Sequence, residues 1–261
     1  MLLEDRVCVV TGVGPGLGRQ VSLALAGQGA DVVLAARSAS YVEEVAEEVR
    51  SLGRRALAVP TDVTEADACR TLVTRTVEEF GRLDILVASA FRPDVFRPFE
   101  KVDLAEWRAL MEVNLFGALE VAQAAVPVMR RPEQAGGAIV FVGSMVVRRP
   151  MPLQGGYAVS KGALLTATRV LASELGRHRI RVNAVVPGWM QGPSVDAYLA
   201  YQASVRQTTA AQIAAEIAAE IPLGAIPTDK DVSGTVVYLA SDLSRAVTGQ
   251  AIDANGGQVF H

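Results

Sequence analysis

The chain has 261 residues, 50% hydrophobic and 20% charged, which is ample for one large buried core. Its net charge is −3 and it carries no basic stretch, so a nucleic-acid partner is excluded. No apolar run reaches the roughly 18 residues of a membrane span, and Glu4 and Asp5 stand where a signal peptide would be basic; a soluble cytoplasmic protein with no membrane partner is expected.

The first unit reads strand, helix, strand. Arg6 to Thr11 is an apolar, β-rich run, Leu17 to Gln28 has apolar residues at helical spacing and stops at Gly29, and Asp31 to Ala35 is a second short strand. A unit of about thirty residues built this way makes its two strands parallel. Cys8, inside the first strand, and Cys69 read as reduced core thiols.

The alternation continues. A helix over Ala39 to Leu52 precedes the strand "ALAVP", and a helix over Glu65 to Phe80 precedes "LDILVAS". A long helix over Leu104 to Met129 precedes "AIVFVGS", and a helix over Gly156 to Leu175 precedes "IRVNAVVPG". Strands rich in Val, Ile and Ala without polar alternation are buried on both faces. With no linker or repeat, residues 1–261 are expected to form a single α/β domain, a doubly wound parallel sheet with helices on both faces. One stretch breaks the rhythm: residues 189–221 contain no strand. Its second half carries Ile213, Ile217 and Ile221 on one stripe beside Gln212, Glu216 and Glu220, an amphipathic helix. A substrate lid is expected there, because long excursions from a compact domain are usually functional.

Three features carry chemistry. Gly12, Gly14, Gly16 and Gly18 lie between the first strand and its helix, where glycines let a pyrophosphate approach the backbone and the helix start offers free N–H groups. At the end of the second strand, where an acid would take the ribose hydroxyls of NAD, stand Ala36 and Arg37; a guanidinium suits the 2′-phosphate of NADP. Tyr157 precedes Lys161 by one helical turn, so both lie on one face, and an ammonium near a phenol favours the phenolate. With 5 tyrosines and 3 lysines, chance supplies such a pair about 0.06 times. Ser144 ends a strand thirteen residues earlier, and Asn114, a poor helix former, sits inside a helix.

In this order and spacing, "TGVGPGLG" at Thr11 to Gly18, "DV" at Asp62–Val63, Asn114, Ser144, "YAVSK" at Tyr157 to Lys161 and "PG" at Pro187–Gly188 resemble the short-chain dehydrogenase/reductase family along essentially the whole chain. The resemblance implies a Rossmann-type sheet of about seven strands and a nicotinamide cofactor. That cofactor would be held by the glycines, Leu17, Arg37, Asp62, Val63, Ala90, Tyr157, Lys161, Pro187 and Gly188, with NADP preferred and NAD possible. It implies a catalytic set of Asn114, Ser144, Tyr157 and Lys161, with no metal. Tyr157 would be the acid in reduction and the base in oxidation, Lys161 would lower its pKa and bind the ribose, Ser144 would hold the substrate oxygen, and Asn114 would kink its helix and seat a relay water. It implies a homotetramer paired through the two long helices and the C-terminal segment "GQAIDANGGQVFH".

Several positions depart from the family's pattern. "NNAG" is replaced by Ala88, Ser89, Ala90 and Phe91, so a local backbone shift is expected, with the Phe91 ring as a pocket wall. Gly192 stands where a Thr would hold the carboxamide, with Ser194 as its substitute, and Pro15 where many NADP-preferring members are basic.

The loops around this face are apolar, and Phe91, Met145, Met151, Trp189, Met190 and Tyr198 are the candidate substrate contacts. They suggest a hydrophobic ketone or secondary alcohol, cyclic, terpenoid or steroid-like. Arg92, Arg97, Arg148 and Arg149 keep open a 3-oxoacyl thioester carrying a charged arm. A dinucleotide-binding regulatory protein without turnover is the reading of another class.

Overall fold

The computed structural model describes residues 1–131 and 136–260. His261, which ends the segment expected at a subunit interface, lies outside the described residues. Seven strands form one parallel sheet: β1 (Val7–Thr11), β2 (Asp31–Ala36), β3 (Ala56–Pro60), β4 (Ile85–Ala88), β5 (Gly137–Val142), β6 (Ile180–Pro187) and β7 (Ala251–Ala254). Their order is β3-β2-β1-β4-β5-β6-β7, so the winding reverses between β1 and β4. In such sheets the crevice outside the carboxyl ends of the strands at this reversal is where ligands bind.

Helices cover both faces: α1 (Leu17–Gly27), α2 (Ala39–Ser51), α3 (Ala66–Phe80), α4 (Leu104–Met111), α5 (Gly117–Met129), α6 (Gly155–Leu175), α7 (Pro193–Arg206), α8 (Ala210–Ala219) and α9 (Asp229–Ala240). Two apolar cores result. One lies between the sheet and α3, α5 and α6, and includes Cys69; the other lies beneath α1, α2 and α9, and includes Cys8. Both cysteines are free and buried, and burial pushes the Cys69 thiol up to about 11.

The long helix expected over Leu104–Met129 is present but interrupted: α4 and α5 join through a π-helical turn at Glu112–Phe116, centred on Asn114. An extra residue in a helical turn bends the axis and redirects a side chain, a device found at functional sites. By length and composition the combined helix is apolar enough to cross a membrane, although Glu112 and Glu120 interrupt its apolar run. Here its apolar stripe, Val121, Ala122, Ala125 and Met129, is buried against the sheet.

The excursion after β6 holds the amphipathic helix expected in its second half, α8, and a further helix before it, α7. α7 starts with Pro193 at its first turn, and α8 has a capping box in which Thr209 and Gln212 satisfy each other's backbone amides. Their contact forms a separate small core of Leu199, Ala203 and Ile213, flanked by Tyr198 and Ile217. Ile213 and Ile221 are buried and Ile217 half-buried, while Gln212, Glu216 and Glu220 are exposed, as the periodicity predicts.

Candidate active site

The turn between β1 and α1 sits at the reversal of the winding. Gly12 adopts a left-handed φ of 72°, and a Cβ there would lie 2.3 Å from the Ala90 nitrogen, so the turn presses directly on the end of β4. A Cβ on Gly18 would lie 2.2 Å from the Gly12 oxygen. Gly14 and Gly16 face open space instead. The start of α1 has no side-chain cap, which leaves its first N–H groups to a ligand. An uncapped helix start behind a bare glycine surface fits a pyrophosphate.

Two cavities share Gly12, Gly14 and Phe91 and make one groove. The outer one, about 700 Å³, is lined by Arg37, Asp62, Val63, Ala90 and Arg92. Arg37 is exposed at the end of β2, beside Asp62, whose carboxyl is held below the usual range chiefly by the Thr64 backbone N–H and hydroxyl. The inner one, about 340 Å³, is lined by Gly16, Leu17, Gly18, Ser144, Tyr157, Lys161, Pro187 and Gly188. Every residue expected to bind the dinucleotide therefore borders the groove. A Cβ on Gly188 would lie 2.7 Å from that of Asn255, so "PG" marks a close approach of chains rather than a ligand contact by a side chain.

Tyr157 stands in the first turn of α6 and hydrogen-bonds Ser144, two residues beyond the end of β5 at Val142. The Ser144 oxygen also accepts from the Val146 N–H at 3.3 Å. Lys161 is 2% exposed; its Nζ donates to the Val142 carbonyl at 2.8 Å and lies 5.7 Å from the centre of the Tyr157 ring. Burial pushes Tyr157 above its ordinary value, with the Ser144 hydrogen bond opposing it, and burial pulls Lys161 down to about 8. Desolvation disfavours both charged forms, and the ammonium is turned toward a backbone carbonyl.

Asn114 is fully buried beneath this pair, outside the groove lining. Its Oδ1 accepts from the Arg92 N–H at 2.6 Å, and its Nδ2 donates to the Arg92 carbonyl at 3.0 Å and to the Ser160 Oγ at 3.1 Å. The amide thus joins the π turn, the loop after β4 and α6. No donor of that side chain is left for a relay water.

The departures from the family's pattern resolve locally. Phe91 is not among the residues with positive φ and its ring borders both cavities; Phe96 takes the left-handed conformation instead, at φ 55°. Ser89 keeps the strand ladder by donating its N–H to the Thr11 carbonyl at 3.2 Å, whereas the buried Thr11 hydroxyl has no partner among the described residues. Ser194 lines the inner cavity beside Gly192.

Of the candidate substrate contacts, Phe91 and Met190 line the cavity. Met145 does not: it is 5% exposed, and its sulfur backs Gly188. Met151 instead accepts a contact from the Gln154 amide at 3.8 Å. Trp189 and Tyr198 stack on each other, centroids 4.9 Å apart, at the foot of the α7–α8 unit. Gln191, Val195 and Ser89, not singled out in the sequence, do line it. Three of the arginines kept for a charged arm are paired: Arg97 with Glu106, Arg149 with Glu220, and Arg148 with Asp253 in a largely buried bridge.

A family model described as enoyl-(acyl carrier protein) reductase matches residues 12–258. The chain is similar to a 3-oxoacyl-[acyl-carrier-protein] reductase of Thermotoga maritima, 34% identical over 100% of both chains. It is also similar to cis-4-hydroxycyclohexanecarboxylate dehydrogenase of Sinomonas cyclohexanicum, 35% identical over 97% of this chain and 96% of that one. Among solved structures, NAD⁺-bound xylitol dehydrogenase superposes with a TM-score of 0.91 at 28% identity, covering 98% of this chain and 100% of the other.

Proposed function

The chain belongs to the short-chain dehydrogenase/reductase family and is an oxidoreductase acting on CH–OH groups, and from that premise we propose that it interconverts a hydrophobic, cyclic ketone and its secondary alcohol with NADP(H) in the cytoplasm. The observation that carries this reading is the Ser144–Tyr157 hydrogen bond beside Lys161, opening into an inner cavity walled by Phe91, Met190, Pro193 and Val195. The Sinomonas relative, whose name specifies a hydroxylated cyclohexane, supports the ring-shaped substrate. Membership of a dehydrogenase family sets aside the reading of a regulatory protein without turnover.

When bound, the nicotinamide supplies or accepts the hydride. The chain's residues do the rest. The glycine turn and the uncapped start of α1 bind the pyrophosphate, and Arg37 offers the 2′-phosphate a bidentate partner. Ser144 holds the substrate oxygen against the Tyr157 hydroxyl. Tyr157 gives its proton to that oxygen in reduction and takes one in oxidation. Lys161, which lines the inner cavity, would bind the ribose and favour the phenolate by its charge. The α7–α8 unit, with its own core and the Arg206–Glu216 pair, moves as a rigid lid that brings Trp189 and Tyr198 over the substrate.

A second reading, reduction of a 3-oxoacyl thioester, is supported by the full-length similarity to the Thermotoga reductase. The pairing of Arg97, Arg148 and Arg149 weighs against those residues as its charged clamp. A panel of cyclic ketones, cyclic alcohols and 3-oxoacyl thioesters with NADPH and NADP⁺, followed at the nicotinamide absorbance band, decides between them. Tyr157→Phe should lower turnover on the best substrate by about 10²–10⁴-fold while leaving dinucleotide affinity within about tenfold. Near-parental turnover in that variant would remove Tyr157 from the chemistry.

A further inference from the structure

The start of α6, which carries Tyr157, is held from outside the helix. Gln154 precedes it and gives no side-chain cap, so the amides of its first turn depend on other partners. Asp94, in the loop after β4, supplies one: its Oδ2 accepts from the Tyr157 backbone N–H at 2.8 Å. Its Oδ1 accepts from the Val95 N–H at 2.7 Å. The residue is only 8% exposed. A buried carboxylate is costly unless it is bonded, and here each oxygen has an amide, one of them at the positive end of a helix.

Two further contacts make this a clamp. Trp107 of α4 presses on the same turn, where a Cβ on Gly155 or Gly156 would meet its ring at 2.6 or 2.7 Å. Asn114 bonds Ser160, which donates to the Tyr157 carbonyl at 2.8 Å. Asp94 and Asn114 both reach the loop that begins at Phe91, a wall of the inner cavity.

We propose that Asp94 is a positioning residue for Tyr157: by fixing that residue's backbone amide it sets the direction of the phenol toward Ser144 and couples it to the cavity wall at Phe91. This rests on the reading of Tyr157 as the acid and base. Asp94 lies in none of the motifs that place the chain in its family, and nothing in the helix itself replaces its bond. Catalytic groups must be held within about 0.5 Å and 10–20° of the productive geometry, and a shift of about 1 Å costs on the order of 10²-fold. Freeing the first turn of α6 puts the phenol outside that range while the glycine turn and Arg37, at the other end of the groove, are untouched.

The test is a double-mutant cycle on the best substrate, with turnover expressed per dinucleotide-binding site. Asp94→Ala should lower kcat about ten- to a hundredfold with dinucleotide affinity unchanged. Asp94→Asn keeps an acceptor in place and should restore most of that loss. In a Tyr157→Phe background Asp94→Ala should cost nothing further, because the group it positions is gone. If Asp94→Ala does not fold, Asp94→Ser, with a shorter acceptor, takes its place in the cycle. Equal losses with and without the phenol, Asp94→Asn as slow as Asp94→Ala, or weakened dinucleotide binding would each overturn the proposal. Parental turnover in Tyr157→Phe alone overturns the acid–base reading, and the role of Asp94 with it.

Discussion

Lys161 should weaken the free protein at neutral pH, and the size of the effect follows from its burial. The ammonium is 2% exposed and pulled from 10.5 to about 8. Between those values the unfolded chain holds a proton that the folded chain has released, so stability rises with pH across the window; below pH 8 the full penalty is present. The difference, 10.5 minus 8, is about 2.5 units, or roughly 3 kcal/mol at about 1.4 kcal/mol each. Lys161→Met keeps the apolar stem and removes the charge, but leaves the Val142 carbonyl without its donor, a loss of about 1 kcal/mol. The variant should therefore be more stable than the parent by about 2 kcal/mol at pH 7, and indistinguishable from it near pH 10, where most of the penalty has gone. Urea unfolding without dinucleotide, at one protein concentration, read by the fluorescence of the 2 tryptophans, measures both. A difference independent of pH, or a variant weaker at pH 7, would refute the assignment of the shift to burial. Saturating dinucleotide should stabilise the parent more than the variant, since only the parent offers the ribose an ammonium.

Three other outcomes are expected. Arg37→Asp should weaken NADP(H) by about 2–4 kcal/mol and favour NAD(H), read by fluorescence titration of both cofactors; unchanged affinities would make Arg37 a solvated bystander. Because burial keeps the Tyr157 phenol protonated, ketone reduction should be level through neutral pH while alcohol oxidation climbs with pH, and matching profiles for the two directions would contradict this. The outward side chains Phe116, Val159 and Val170 of the long helices and the 80% exposed Phe260 should be covered in a homotetramer, so light scattering at micromolar concentration should give four times 27.6 kDa, and monomer alone would refute it.

The sheet was legible because its strands are short continuous apolar runs rich in β-branched residues, and their length and composition separate them from the longer, charged helical segments between. The elements that escaped had signals of a different kind. α9 begins at Thr228 with Asp231 three residues on, a reciprocal cap visible in the letters, but its buried face includes Ser233 and no strand follows at once. α7 is announced by Pro193 after Gly192, which reads equally well as a turn. The π turn at Asn114 leaves no periodic trace, since one extra residue shifts the apolar stripe by less than the window that reveals it.

The groove was legible for a physical reason that does not extend to its supports. A residue proposed to meet a pyrophosphate or a ribose is picked out by its own chemistry, so Gly14, Arg37 and Lys161 can be read one at a time. A residue that aims another is chosen for where the chain brings it. Asp94 lies 63 positions from Tyr157, and Asn114 lies 46 from Ser160. Neither spacing has a period, and each residue alone looks like a loop acid or a core amide. The same limit applies to the apolar candidates for substrate contact: Met145 backs Gly188 and Trp189 meets Tyr198, and apolar side chains near the carboxyl edge of a sheet fill a core, a neighbouring ring or a pocket with the same letters. It explains the pKa pair as well. The spacing of Tyr157 and Lys161 fixes that they are neighbours, but whether the ammonium lowers the phenol depends on which partner each finds in the fold. In the structure the Val142 carbonyl takes the ammonium, burial lowers Lys161, and burial raises Tyr157 against the Ser144 hydrogen bond. A spacing of four therefore fixes that Tyr157 and Lys161 share a face, while the partner of the ammonium, here the Val142 carbonyl, is set by where the end of β5 falls against α6.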